Sequence, residues 1–213
     1  MDPPSSTSGR RLWRVSAGGH VRQAPAVTDD IAAVGACPGG VAAFDLRSGR
    51  ELWRHGAEEC VVASPLVLSD TVYAVAASGE VLALDAAVGG VRWRSPLGGG
   101  GRFPPVSHFG TLIVATDAGG LHALDLGSGV EGWRTRIGPR PSTRPVLLDG
   151  MVYVGGHDGR LYAVNALNGE RLWHLETGSP PVDVASRAVD GRTTVLVMTV
   201  DGRVIELGSG ARD

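Results

Sequence analysis

At 213 residues and a formal net charge of −2, the chain is long enough for a sizeable core and has no charge excess suited to nucleic acid. Its 32 Gly and 13 Pro exclude long uninterrupted helices, and its 20 basic residues are all Arg, the codon usage of a GC-rich bacterial genome. In chain order, "MDPPSSTSGR" holds no apolar run, so residues 1–10 are expected to be a disordered tail rather than a signal peptide or membrane anchor. The expected compartment is therefore the cytoplasm. "RLWRV" (11–15) then reads as a single strand. Four similar units follow at 21–55, 61–95, 101–135 and 141–175. In the second, "ASPLVLS", "TVYAVAA", "EVLALDA" and "VRWRS" are short apolar or alternating runs bounded by Gly, Asp and Ser, as strands A to D of one unit would be. The last runs, "VDVASRAV", "TTVLVMTV" and "RVIEL", read as strands A, B and C, with a three-residue insertion in "VDGRTT" and no strand D after them.

Column spacing explains the likeness of the units. Trp13, Trp53, Trp93, Trp133 and Trp173 stand 40 positions apart, as do Pro25, Pro65, Pro105 and Pro145. Gly39, Gly79, Gly119 and Gly159 keep the interval, and so do Asp45, Asp85, Asp125 and Asn165, then Gly49, Gly89, Gly129 and Gly169. A repeat of this period with four strands per unit predicts an all-β, five-bladed β-propeller of four-stranded antiparallel blades. In it, the N-terminal strand D completes the C-terminal blade and closes the ring. The propeller domain is expected over 11–207, with a C-terminal tail at 208–213. The Asp and Gly suit the turn between strands C and D, and the Trp is expected as the structural contact between neighbouring blades.

Segments such as "ALDAAVGGVRW" and "AVNALNGERLW" resemble the tryptophan-docking motif of the PQQ-like (quinoprotein) propeller repeat, over about residues 11 to 207. Members of that superfamily include quinone-dependent alcohol dehydrogenases, the BamB-type outer-membrane assembly lipoprotein, and propellers attached to bacterial Ser/Thr kinases. The dehydrogenases have eight blades, an adjacent-cysteine disulfide stacked on the quinone, and a metal held by Glu, Asn and Asp. This sequence has no Cys-Cys pair and two Asn, so no cofactor is expected.

Function is expected where the blades differ, at the channel end framed by the loops before strand A and between strands B and C. The candidate ligand-binding residues there are Arg22, Gln23, Cys60, Arg102, Phe103, Arg144, Asp183 and His157. Three Arg on one rim can clamp a carboxylate or phosphate. The expected function is non-catalytic binding of a small anionic molecule or a protein partner by a monomer, with no nucleic acid or membrane contact. The alternative is a cofactor-independent hydrolase, lyase or cyclase using Asp183 with Arg22, Arg102, Arg144 or His20. Cys37 and Cys60 show no paired spacing and read as reduced thiols. With His20 and His157 they lack the close-spaced ligand pairs of a zinc site, so no metal is expected. His55, His108, His122 and His174 read as surface or filler residues.

Overall fold

Val- and Leu-rich runs cut short by Gly and Asp form short strands rather than helices. The computed structural model describes residues 11–56, 58–189 and 192–208. The expected tail at 1–10, residues 209–213 of the C-terminal tail, and Asp190 and Gly191 of the expected insertion lie outside the described residues. Among the described residues nineteen strands form five antiparallel sheets. Blade 1 contains β1 (Ala26–Val27), β2 (Ile31–Ala36), β3 (Gly40–Asp45) and β4 (Glu51–His55). Blade 2 contains β5 (Leu66–Leu68), β6 (Thr71–Val75), β7 (Glu80–Asp85) and β8 (Val91–Pro96). Blade 3 contains β9 (Val106–His108), β10 (Thr111–Thr116), β11 (Gly120–Asp125) and β12 (Glu131–Arg136). Blade 4 contains β13 (Val146–Leu148), β14 (Met151–Gly156), β15 (Arg160–Asn165) and β16 (Arg171–Glu176). Blade 5 has β17 (Pro181–Val189), β18 (Arg192–Thr199) and β19 (Val204–Gly208). The architecture is the expected five-bladed propeller. In blades 2, 3 and 4 strand A is three residues long and begins just after the repeated proline, which has no N–H for a ladder.

The core lies between the blades. Val41, Ala43 and Trp53 of blade 1 pack on Val72, Ala74, Leu82 and Leu84 of blade 2. Tyr73, Val75, Val81 and Trp93 of blade 2 pack in turn on Leu112, Val114 and Leu124 of blade 3. Blades 3 and 4 meet through Ile113, Leu121, Val152 and Val154, and blades 4 and 5 through Tyr153, Leu161, Val184 and Val197.

Each complete blade has a register shift between strands C and D at the same place, for example between Ala83 and Leu84. A bulge there re-aims the strand D side chains next to the Trp. The Trp53 indole N–H donates to the Ala86 carbonyl at 2.8 Å, that of Trp93 to Leu126 at 2.9 Å, and that of Trp13 to Leu46 at 2.9 Å. In each pair the acceptor belongs to the C to D turn of the next blade. Gly89 shows why glycine recurs in that turn. Its φ is +69°, and a Cβ there would lie 2.6 Å from the Trp53 ring. The turn is also held by Asp85, whose Oδ1 accepts from the N–H groups of Ala87 and Val88 at 2.9 and 3.1 Å. The Arg92 guanidinium first, and then these bonds, hold the Asp85 carboxyl below its usual range. Ser48 and Ser128 lower Asp45 and Asp125 in the same way, through hydroxyl and backbone bonds.

The expected closure is corrected. The fifth sheet has three strands, in the order β17-β18-β19, and Arg11–Val15 forms no strand. Trp13 is seated on blade 1, against Gly49 and the Leu46 carbonyl, so the indole N–H is satisfied without a ladder to blade 5. At the other end of the molecule, Trp173 is 39% exposed, whereas Trp53 and Trp93 are 8% exposed.

Candidate functional site

Because strand A is short in blades 1 to 4, the segments entering it come together on one face with the turns between strands B and C. On that face Arg22, Gln23, Cys60, Arg102 and Phe103 line a single cavity of about 480 Å³, together with Cys37, Val62, Ala77, Gly101 and Asp117. Asp117 organises the charge. Its Oδ2 accepts from Arg102 Nε at 2.9 Å and faces Arg102 NH2 at 2.8 Å, while its Oδ1 accepts from Arg140 Nε at 3.4 Å. Arg22 is ion-paired with no described carboxylate. The balance of the wall is therefore positive, with the Phe103 ring beside it.

Cys37 and Cys60 are joined as a disulfide, which corrects the expectation of two reduced thiols. Their 23-residue separation hid the pairing, because the fold brings together the B to C turn of blade 1 and the loop leading into blade 2. Cys37 is held there by a two-way backbone bridge, donating to His20 O at 3.0 Å and accepting from His20 N at 3.1 Å. The same two repeat positions recur as Ala77 with Gly100 and as Asp117 with Arg140. At the first, a Cβ on Gly100 would lie 2.9 Å from the Ala77 carbonyl; at the second stands the ion pair. One joint position is thus filled by a covalent bond, by close backbone packing and by an ion pair in successive blades.

The other candidates lie elsewhere. Arg144 Nε is 3.8 Å from Asp183 Oδ1, with the side chains 55% and 45% exposed. That is an open pair, too long to share a proton directly and bathed in water. His157 is exposed and is fixed through its backbone N–H, which donates to Arg140 O at 2.9 Å. His20 is exposed and lines no part of the cavity wall. Among the described residues no three of His, Cys, Asp and Glu converge as a metal site.

His122 departs from its expected role as a surface or filler residue. It is 7% exposed and points into blade 3, where its Nδ1 lies 2.6 Å from Glu131 Oε1 and its Nε2 lies 3.3 Å from Thr116 Oγ1. The repeat column did carry a signal: the equivalent residues are Ala42, Leu82, Tyr162 and Ile205, so an imidazole there is an anomaly in a core position.

The chain matches the family model described as outer membrane protein assembly factor BamB, over residues 4–98 and 77–211. It belongs to the BamB family. No curated protein matches it. Among solved structures, BamB from Moraxella catarrhalis is 23% identical, over 90% of this chain and 61% of that one, with a TM-score of 0.68. The computationally designed protein Ika8 is 20% identical, over 85% and 56% of the two chains, with a TM-score of 0.72. The quinohemoprotein alcohol dehydrogenase from Comamonas testosteroni is 18% identical, over 91% and 43%, with a TM-score of 0.67. These likenesses are of fold, and the chain spans less than two thirds of each. The adjacent-cysteine disulfide implied by a quinoprotein resemblance does not fit this member of the BamB family, whose Cys37 and Cys60 join different loops.

Proposed function

We propose that the protein is a non-catalytic binding propeller that takes a small anionic group, on a free molecule or on a protein partner, in the 480 Å³ channel-face cavity. The observation that carries this reading is the gathering of Arg22, Arg102, Gln23 and Phe103 at one cavity. Arg22 offers an uncommitted planar fork for a carboxylate, and Arg102 is held in place by Asp117. Gln23 adds amide hydrogen bonds and Phe103 a flat apolar wall. The name of the family, an assembly factor, supports a protein as the bearer of the group. The disulfide supports an oxidising compartment as the place of action, because such bonds persist poorly among cytosolic reductants.

The test is a thermal-shift and calorimetric titration with small mono- and dicarboxylates. A ligand at about 100 times its Kd adds about 2.7 kcal/mol, which raises Tm by about 5–10 °C in a chain of this size. The Arg22→Gln variant is expected to lose the shift. Carboxylates that leave Tm unchanged, or that bind Arg22→Gln as well as the parent, overturn the reading.

A further inference from the structure

Blades 1, 2 and 4 neutralise an arginine at their outer edge within the blade. Arg54 pairs with Glu51 at 2.6 Å, Arg94 with Glu80 at 3.4 Å, and Arg160 with Glu176 at 2.7 Å. Blade 3 does not follow this pattern. Strand β12 carries Arg134 opposite His122 and Arg136 opposite Gly120, and neither arginine is ion-paired with a described carboxylate. Gly120 holds the repeat position occupied by Glu80 in blade 2 and by Arg160 in blade 4.

The glycine does more than remove a charge. A Cβ at position 120 would lie 2.3 Å from His122 Nε2 and 3.1 Å from Thr116 Oγ1, so only glycine leaves these two atoms room. The result is a crevice of about 310 Å³, lined by Thr116, Gly119, Gly120, His122, Arg134 and Arg136, with Leu97 and Gly98 among the other wall residues. Thr116 is fully buried and His122 is 7% exposed, so two polar side chains of the core face a cavity that also holds two uncompensated guanidinium groups. Glu131 at His122 Nδ1, 2.6 Å away, fixes the orientation of the ring. Nε2 and the Thr116 hydroxyl face one another at 3.3 Å on the crevice floor, and the hydroxyl also reaches the Gly120 carbonyl at 3.4 Å.

We propose that this crevice at the outer edge of blade 3 is an oxyanion site for a phosphate or carboxylate group. Arg134 and Arg136 supply the charge and the planar N–H donors, and Thr116 and His122 form its polar floor. It is separate from the channel-face cavity and stands whether or not that cavity binds a ligand.

The full chain is titrated calorimetrically with inorganic phosphate and, in a second arm, with acetate, while the ring nitrogen resonances of His122 are followed by NMR and assigned with His122→Gln. Saturable binding of one ion that shifts the His122 resonances is expected, and the stronger arm names the group. Arg136→Glu, which gives blade 3 the residue that blade 4 carries as Glu176, is expected to weaken binding at least about tenfold. Arg134→Gln acts in the same direction and serves if Arg136→Glu fails to fold. Arg22→Gln leaves this binding unchanged, which separates the two sites. The proposal falls if neither anion binds saturably, if His122 does not respond at saturation, or if folded Arg136→Glu or Arg134→Gln binds like the parent.

Discussion

Replacing Trp93 by Ala tests the idea that the repeated tryptophans hold neighbouring blades together. The indole is 8% exposed, lies 5.8 Å centroid to centroid from Tyr73, and covers the turn at Gly129, where a Cβ would come within 2.5 Å of it. A buried indole removes ~150–250 Å² from water, about 4–6 kcal/mol as an upper bound. The hydrogen-bond part of the loss is small, because the Leu126 carbonyl that accepts from Trp93 also accepts from Tyr73 Oη at 3.0 Å and is not left orphaned. What remains is a cavity between blades 2 and 3, so the expected cost is about 3–5 kcal/mol. Trp173, at 39% exposed, provides the internal contrast, with an expected cost of about 1–2 kcal/mol for its removal. Urea unfolding followed by circular dichroism measures both. Equal losses for the two variants, or a Trp93→Ala cost below about 1 kcal/mol, would refute the account of the core as a set of layers between blades.

Two further outcomes follow from covalent and ionic features. Reducing the Cys37–Cys60 bond opens a loop with a sequence separation of 23, and chain entropy puts the loss at about 3 kcal/mol. A melt with and without a dithiol should show it, and Cys37→Ser should match the reduced parent; an unchanged melt on full reduction, verified by thiol counting, would remove the bond from the stabilising features. The turn carboxylates Asp45, Asp85 and Asp125 are held below the ordinary carboxylate range in the native state, Asp85 first by Arg92 and Asp45 and Asp125 by the bonds from Ser48 and Ser128. A depressed native pKa contributes stability above the unfolded value that disappears as pH falls through the native one, so Tm should drop on acidification below about pH 4. Asp85→Asn should flatten that acid limb; an acid limb as steep as the parent's would show that other groups control it.

The period of 40 made the blades legible before any coordinates, because four apolar runs separated by Gly and Asp leave few architectures for a chain without helical periodicity. The strand ladders of blades 1 to 4 follow from it. So do strands A, B and C of the fifth blade, whereas its strand D does not, since reading Arg11–Val15 as a strand treated a contact between blades as if it were a ladder within one. At the channel face, the variable columns two and three residues before the repeated proline, with the loop that holds Cys60, located Arg22, Gln23, Cys60, Arg102 and Phe103 at one wall, because blades in register bring equivalent positions together. Arg144, from the neighbouring column, and Asp183, from the column of Gln23 and Phe103, sit one and two blades beyond Phe103, at a distance that linear spacing does not encode. The disulfide was hidden for a related reason: its partners lie in different loops and become neighbours only when blade 2 packs on blade 1. His122 was legible in principle as the odd member of an apolar column, but the role of Gly120 in making room for it depends on side-chain distances.

The joint position filled by Cys37–Cys60, Ala77–Gly100 and Asp117–Arg140 gives the molecule unequal hinges. A sulfur bridge ignores salt and yields to reductant, an ion pair does the reverse, and packed backbone responds to neither. The seam between blades 1 and 2 is therefore sensitive to reductant at this position, and that between blades 3 and 4 to salt. The response of each seam to its surroundings is thus set locally, by the chemistry that closes it.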